Sequence, residues 1–158
     1  MLLSDYTLET SKVDWTKVLS HWSWLLKDIP ELEVWIVTRF GDLFCRLGNG
    51  AVCLLSPGKG QFEQIATSTD AFCEMMDQQG KFEEWFMSAL VDELVGAGLK
   101  LEPLQCYGFH TSPGFKECNY TPKSIKITDV QSYLIAMGDL WGLLKEIPDG
   151  SKVRLTTQ

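Results

Sequence analysis

From Val34 to Ala66 short, mostly apolar runs recur, with tight breaks between them. That rhythm predicts four short strands: Val34 to Phe40, Leu43 to Leu47, Ala51 to Leu55 and Gln61 to Ala66. Gly41-Asp42 separates the first two. Gly48-Asn49-Gly50 is a hairpin turn, because Asn-Gly tolerates the positive φ that a two-residue hairpin needs. Ser56-Pro57-Gly58-Lys59-Gly60 makes the third turn. The strands form a compact antiparallel meander.

Helical spacing lies on both sides of it. Asp14 is an N-cap for a helix whose apolar stripe is Trp15, Val18, Leu19, Trp22, Leu25 and Leu26. His21 and Trp24 fall off that stripe, and Pro30 ends the segment. Beyond Ala66, Thr67-Ser68-Thr69-Asp70 offers caps for a short helix over Ala71 to Asp77, which Gln78-Gln79-Gly80 breaks. A longer helix is expected from about Phe82 to Val95. Its dense arc holds Phe86, Met87, Leu90, Val91 and Leu94. The opposite arc holds Glu84, Ser88 and Asp92, with Trp85 and Glu93 beside them. Leu104 to Phe109 and Ser124 to Thr128 read as strands around a loop, His110 to Pro122. Thr128 or Asp129 caps the last helix. There Val130, Tyr133, Leu134, Met137, Leu140, Trp141 and Leu144 share one face, with Gln131, Gly138, Asp139, Lys145 and Glu146 opposite. Pro148-Asp149-Gly150 closes the fold.

The expectation is an α+β fold, an antiparallel β-meander sheet covered by α-helices. One domain is expected over residues 13–158, behind a flexible N-terminus over residues 1–12. A helical bundle is excluded, since residues 34–66 hold no helix-length periodic segment.

Charge sharpens the picture. The net charge is −7, and residues 68–102 carry eight acids against two bases. Direct nucleic-acid binding is disfavoured, because neutralising phosphates takes clustered Lys and Arg. An acidic surface suits a basic protein partner, although acidic charge also serves solubility. No apolar stretch approaches a membrane span. The first residues lack the basic and apolar regions of a signal peptide, so a cytoplasmic protein is expected. Cys45, Cys53, Cys73, Cys106 and Cys118 are odd in number and irregularly spaced. That spacing fits neither a disulfide framework nor a metal site, and nothing in the chain calls for a cofactor.

Candidate chemistry is sparse. A Ser or Cys nucleophile needs a base, and only His21 and His110 are available. Cys106 with His110 is the one conceivable pair, without a surrounding signature. Gly58-Lys59-Gly60 lacks the following Ser or Thr of a phosphate loop and reads as a turn. Binding candidates are better. Glu84, Trp85, Asp92 and Glu93 lie together on the acidic arc, and His110 and Phe115 lie on the long loop. Trp85 has two readings: an exposed anchor among carboxylates, or a ring covered by another element. A pocket for a small molecule between sheet and helix is the further alternative.

Two separated segments carry a resemblance. One is Thr38-Arg39-Phe40-Gly41-Asp42-Leu43-Phe44, preceded by Asp14-Trp15 and Trp22-Ser23-Trp24-Leu25-Leu26. The other is Cys106-Tyr107-Gly108-Phe109, followed by Val130 to Lys145 and Ile147-Pro148-Asp149-Gly150. In this order they resemble the domain at the C-terminus of type VI secretion DNase immunity proteins, over about residues 13–154. The strand–turn–strand run ending in Ala66-Thr67-Ser68 is also similar to the SUKH superfamily of immunity and interaction domains. The resemblance implies a non-enzymatic protein that binds and neutralises a cognate toxin, with a nuclease as the candidate. Such members tend to have a proline pair and a glycine pair after the Cys-Tyr-Gly-Phe motif. Here the chain reads His110-Thr111-Ser112-Pro113-Gly114-Phe115-Lys116, which implies a different partner if that loop selects it.

Overall fold

The computed structural model describes residues 2–78, 80–148 and 150–154. Its centre is the meander. Strands β1 (Glu33–Val37), β2 (Leu43–Arg46), β3 (Val52–Ser56) and β4 (Gln61–Ala66) pair antiparallel in sequence order. Leu43 faces Val37 on one side and Leu55 on the other. A second sheet has two antiparallel strands, β5 (Gln105–Phe109) and β6 (Ile125–Asp129). It abuts the residues between β1 and β2, where the Tyr107 N–H donates to the Arg39 carbonyl at 2.8 Å. The fold is α+β, as the pattern predicts.

The turn between β2 and β3 differs from expectation in a small way. Gly50 alone takes positive φ, at 90°. Its N–H donates to the Leu47 carbonyl at 2.9 Å, and Asn49 Oδ1 accepts from the Ala51 N–H at 3.0 Å. The loop is therefore three residues long, a turn closed by a left-handed glycine, and Asn49 works through its side chain.

The N-terminal helical segment divides into α1 (Trp15–Ser20) and α2 (Ser23–Leu26). Asp14 caps α1 by accepting from the Lys17 N–H at 3.1 Å. After the meander, Ser68 caps α3 (Thr69–Met76). The expected long helix is two helices, α4 (Lys81–Phe86) and α5 (Ser88–Gly96), because Met87 sits in the left-handed region at φ 49°. Glu83 spans this break, accepting from Ser88 Oγ and from the Ala89 N–H. Asp129 caps α6 (Val130–Leu144) through the Ser132 N–H at 2.8 Å. Gln79 and Asp149, part of two expected turns, lie outside the described residues.

Two apolar clusters flank the sheets. One joins Phe44, Phe72, Trp85, Phe86, Leu94 and Tyr107, and it binds α3, α4 and α5 to the meander. The other joins Val18, Trp22, Leu43, Leu55, Cys106 and Leu134, and it seats α1 and α6 on the opposite face. Tyr6 belongs to the first cluster at 6% exposure, and the Leu8 N–H donates to the Val37 carbonyl. The polar composition of the first dozen residues carries no signal for that packing. Among the described residues no helix is long and apolar enough to cross a membrane.

The broad face expected on α6 is narrower. Val130, Leu134 and Gly138 are buried, whereas Leu140 and Leu144 are partly exposed. Gly138, expected on the outer face, is a contact point. The Trp22 indole N–H donates to the Leu134 carbonyl and the Trp24 indole N–H to the Gly138 carbonyl, both at 3.0 Å. A side chain on Gly138 would meet the His21 carbonyl at 2.7 Å. Only glycine lets these helices approach so closely.

Candidate functional site

The long loop after β5 is held at several points. Ser112 Oγ and the Gly114 N–H both donate to the Gly58 carbonyl on the β3–β4 turn. The Trp141 indole donates to the Pro57 carbonyl at 2.9 Å, and Phe115 stacks on Trp141 with ring centroids 5.4 Å apart. The loop therefore bridges the meander and α6, and it separates two adjoining hollows.

The larger hollow, about 570 Å³, opens between α6, the loop and the outer face of the β5–β6 sheet. Its lining includes His110, Phe115, Lys126, Tyr133, Met137 and Leu140. The smaller, about 210 Å³, lies between the β3–β4 turn, α4 and the loop. Asp42, Lys59, Glu63, Glu84, Trp85 and Tyr120 line it. Phe109 and Tyr133 border both. Burial pushes the Asp42 carboxyl up to about 7, against the opposing pull of Lys59 and Thr38. Burial, with Asp42 nearby, likewise raises Tyr133 and Tyr120.

The residues singled out from the sequence fall into three places. Glu84 and Trp85 reach the smaller hollow, and His110 and Phe115 reach the larger one. Asp92 accepts from the Tyr6 hydroxyl at 3.0 Å and lies on another part of the surface. Glu93 is exposed on α5. Trp85 is 7% exposed, stacked on Phe72 at 5.1 Å with its edge toward Phe44. Of the two readings, the covered ring matches this placement and the exposed anchor does not. Trp85 lies on α4, which ends before Met87, so its direction is independent of the acidic arc of α5. Glu84 is exposed and pairs with Lys81 at 3.0 Å.

All eight acids of residues 68–102 are exposed, on or beside the outer faces of α3, α4 and α5. The inner faces of these helices cover the first core cluster, so sequence neighbours divide cleanly between core and acidic surface.

Cys106 and His110 do not make a nucleophile–base pair. They lie four residues apart along one extended strand, about 13 Å at the strand rise. Cys106 is 0% exposed, and burial holds its thiol up at about 12. Among the described residues no group of three or more His, Cys, Asp or Glu side chains is arranged to hold a metal ion.

Against this geometry the comparison with known families is informative. Residues 66–141 match the family of the T6SS immunity protein Tdi1, C-terminal. The matched stretch holds the acidic helices, the bridging loop, the β5–β6 sheet and most of α6. No curated protein matches the chain. The Tdi1-like stretch thus supplies much of both hollows, while Asp42 and Lys59 come from the meander before it.

Sequence reading missed Asp42, Lys59, Tyr120 and Tyr133 as a group. Gly41-Asp42 and Gly58-Lys59-Gly60 carry the composition of solvated turns. Nothing local marks them as facing one space, because that space is assembled from distant segments.

Proposed function

We propose that this chain is a type VI secretion immunity protein that binds a cognate effector and neutralises it by occupation, without chemistry of its own. The observation that carries the reading is the Tdi1 family match, which falls on the segment bearing the concentrated acidic surface. A toxin acting on nucleic acid needs a basic cleft. A folded acidic surface of several helices competes for that cleft and speeds encounter by steering. The proposed partner is therefore a basic effector protein, met in the cytoplasm. Glu84 and Glu93 contribute charge, Asp92 belongs to the same acidic surface, and His110 and Phe115 border a neighbouring part of the contact. Trp85 supports the site from beneath, fastening α4 to Phe44 and Phe72.

The test is protection. Cells expressing a type VI effector encoded beside this gene should survive when the chain is co-expressed, and the two proteins should co-purify. Cys106→Ser and His110→Ala should each leave protection within a few-fold. Survival that needs Cys106, with no complex formed, would instead indicate an enzyme.

A further inference from the structure

The smaller hollow has a chemistry that the acidic surface as a whole does not explain. Asp42 immediately precedes β2, and its backbone is fixed twice over. Its N–H donates to Thr38 Oγ1 at 3.1 Å, and its carbonyl accepts from the Thr38 N–H at 3.0 Å. Thr38 is itself fully buried. The Asp42 carboxylate is thus held on a rigid support and lines the cavity.

Among the described residues no cation forms an ion pair with it. The ion pairs among the described residues are His21–Asp139, Arg46–Glu33 and Lys81–Glu84. Lys59, exposed on the β3–β4 turn, lies near enough to attract the carboxylate but forms no ion pair with it. Glu63 and Glu84 add two exposed carboxylates to the lining, which gives three acids against one base. The rest of the lining mixes polar groups, Ser56 and Gln61, with aromatic rings, of which Tyr120 and Tyr133 are the more exposed and Phe40, Trp85 and Phe109 are largely buried. At about 210 Å³ the hollow is smaller than the roughly 300–1,000 Å³ typical of small-molecule and cofactor sites. It has room for one long side chain.

A carboxylate in a small hollow that also presents tyrosine rings suits a planar cation. A guanidinium stacks on aromatic faces and offers a fork of donors that fits a carboxylate. We propose that this hollow is a socket for one arginine side chain of the bound effector, with Asp42 as its counter-ion and Glu63 and Glu84 at the rim. The proposal rests on the binding reading above and names the partner's contacting group. Arginine entry replaces the partial neutralisation from Lys59, which moves toward solvent on its exposed turn. It also gives a half-buried carboxylate a cationic partner, and this favours the complex over the free state.

N-acetyl-arginine amide, with its neutral isostere N-acetyl-citrulline amide as control, tests the socket by NMR titration of the whole chain. The arginine compound should shift the ring signals of Tyr120 and Tyr133 saturably, and citrulline should not. Binding should strengthen from pH 6 to pH 8, as Asp42 ionises. Asp42→Asn should weaken arginine binding at least tenfold while the protein stays folded by its amide spectrum. Glu84→Gln, at an exposed position, is the second variant and should weaken it severalfold. Equal shifts with citrulline, or arginine binding unaffected by both substitutions, would overturn the socket. The two readings separate with the effector itself. If Asp42→Asn binds it as tightly as the unchanged chain, the socket fails and the immunity reading stands. If arginine titrates the hollow but no effector binds, the immunity reading fails and the socket stands.

Discussion

At the residue scale, Asp42 has the sharpest consequence for stability. Its carboxyl titrates near 3.8 when unfolded and at about 7 in the folded protein. Between those values the folded state keeps a proton that the unfolded state has lost. Stability therefore falls as pH rises from about 4 to about 7 and is level in this respect above that. At about 1.4 kcal/mol per pH unit the loss is bounded at roughly 4 kcal/mol. Asn cannot ionise, so Asp42→Asn should be more stable than the unchanged chain at pH 8. The difference should shrink toward zero by pH 4. Urea unfolding at several pH values measures it, and a variant less stable at pH 8 would show that the ionised carboxylate is structurally satisfied. Cys106 gives the companion expectation. With its thiol buried and raised to about 12, it should resist alkylation at pH 8 in the folded chain, whereas exposed Cys73 should react.

At the element scale, α6 distinguishes what periodicity reveals from what it hides. The cap was legible to within one residue, Thr128 or Asp129, and Val130 and Leu134 as core. Leu140 shares their periodicity but faces the larger hollow, because the bridging loop stops short of covering it. Leu134→Ala should cost about 2–5 kcal/mol, as cavity-forming changes in packed cores do, since Leu134 is fully buried. Leu140→Ala should cost clearly less, under about 2 kcal/mol, because part of its surface already meets water. Denaturant midpoints of the two variants rank them, and a larger loss at Leu140 would mean the hollow is closed in solution. Gly138 reverses the usual inference that a helical glycine is a weak point. Gly138→Ala gains helix propensity but presses into the His21 carbonyl, so it should destabilise by about 1–3 kcal/mol. The tryptophans explain why this was hidden. Trp22 and Trp24 both donate to α6 carbonyls, and a helix that receives indoles on its backbone needs a small residue where its sequence pattern shows only a polar face. The break at Met87 was hidden for a similar reason. Its left-handed backbone is set by the packing of Trp85 and Phe86 on one side and Leu90 and Leu94 on the other.

At the scale of the whole molecule, the meander and the clustering of charge were legible, and the assembly of the two hollows was not. Strand alternation and turn residues are local signals. The hollows arise where the β3–β4 turn, α4, the loop and α6 meet, and that meeting depends on hydrogen bonds such as those on the Gly58 carbonyl. The acidic surface leads to a kinetic prediction. Long-range attraction acts on encounter more than on the formed contact, and it is screened over about 8–10 Å at physiological salt. Glu74→Lys with Glu93→Lys, away from the smaller hollow, changes the net charge by +4 at exposed positions, so the fold should remain within about 0.5 kcal/mol of the unchanged chain. Asp92 is left in place, because its carboxylate holds the Tyr6 hydroxyl and reversing it would disturb the docking of the N-terminal residues. The double variant should associate with a basic effector about tenfold more slowly at low salt, while its dissociation rate changes much less. Raising the salt to about 0.5 M should bring the two association rates together. If the variant instead dissociates faster at every salt concentration with an unchanged on-rate, these carboxylates make direct contacts. If neither rate changes, the effector docks elsewhere, and the groove along α6 and the bridging loop becomes the surface to alter next.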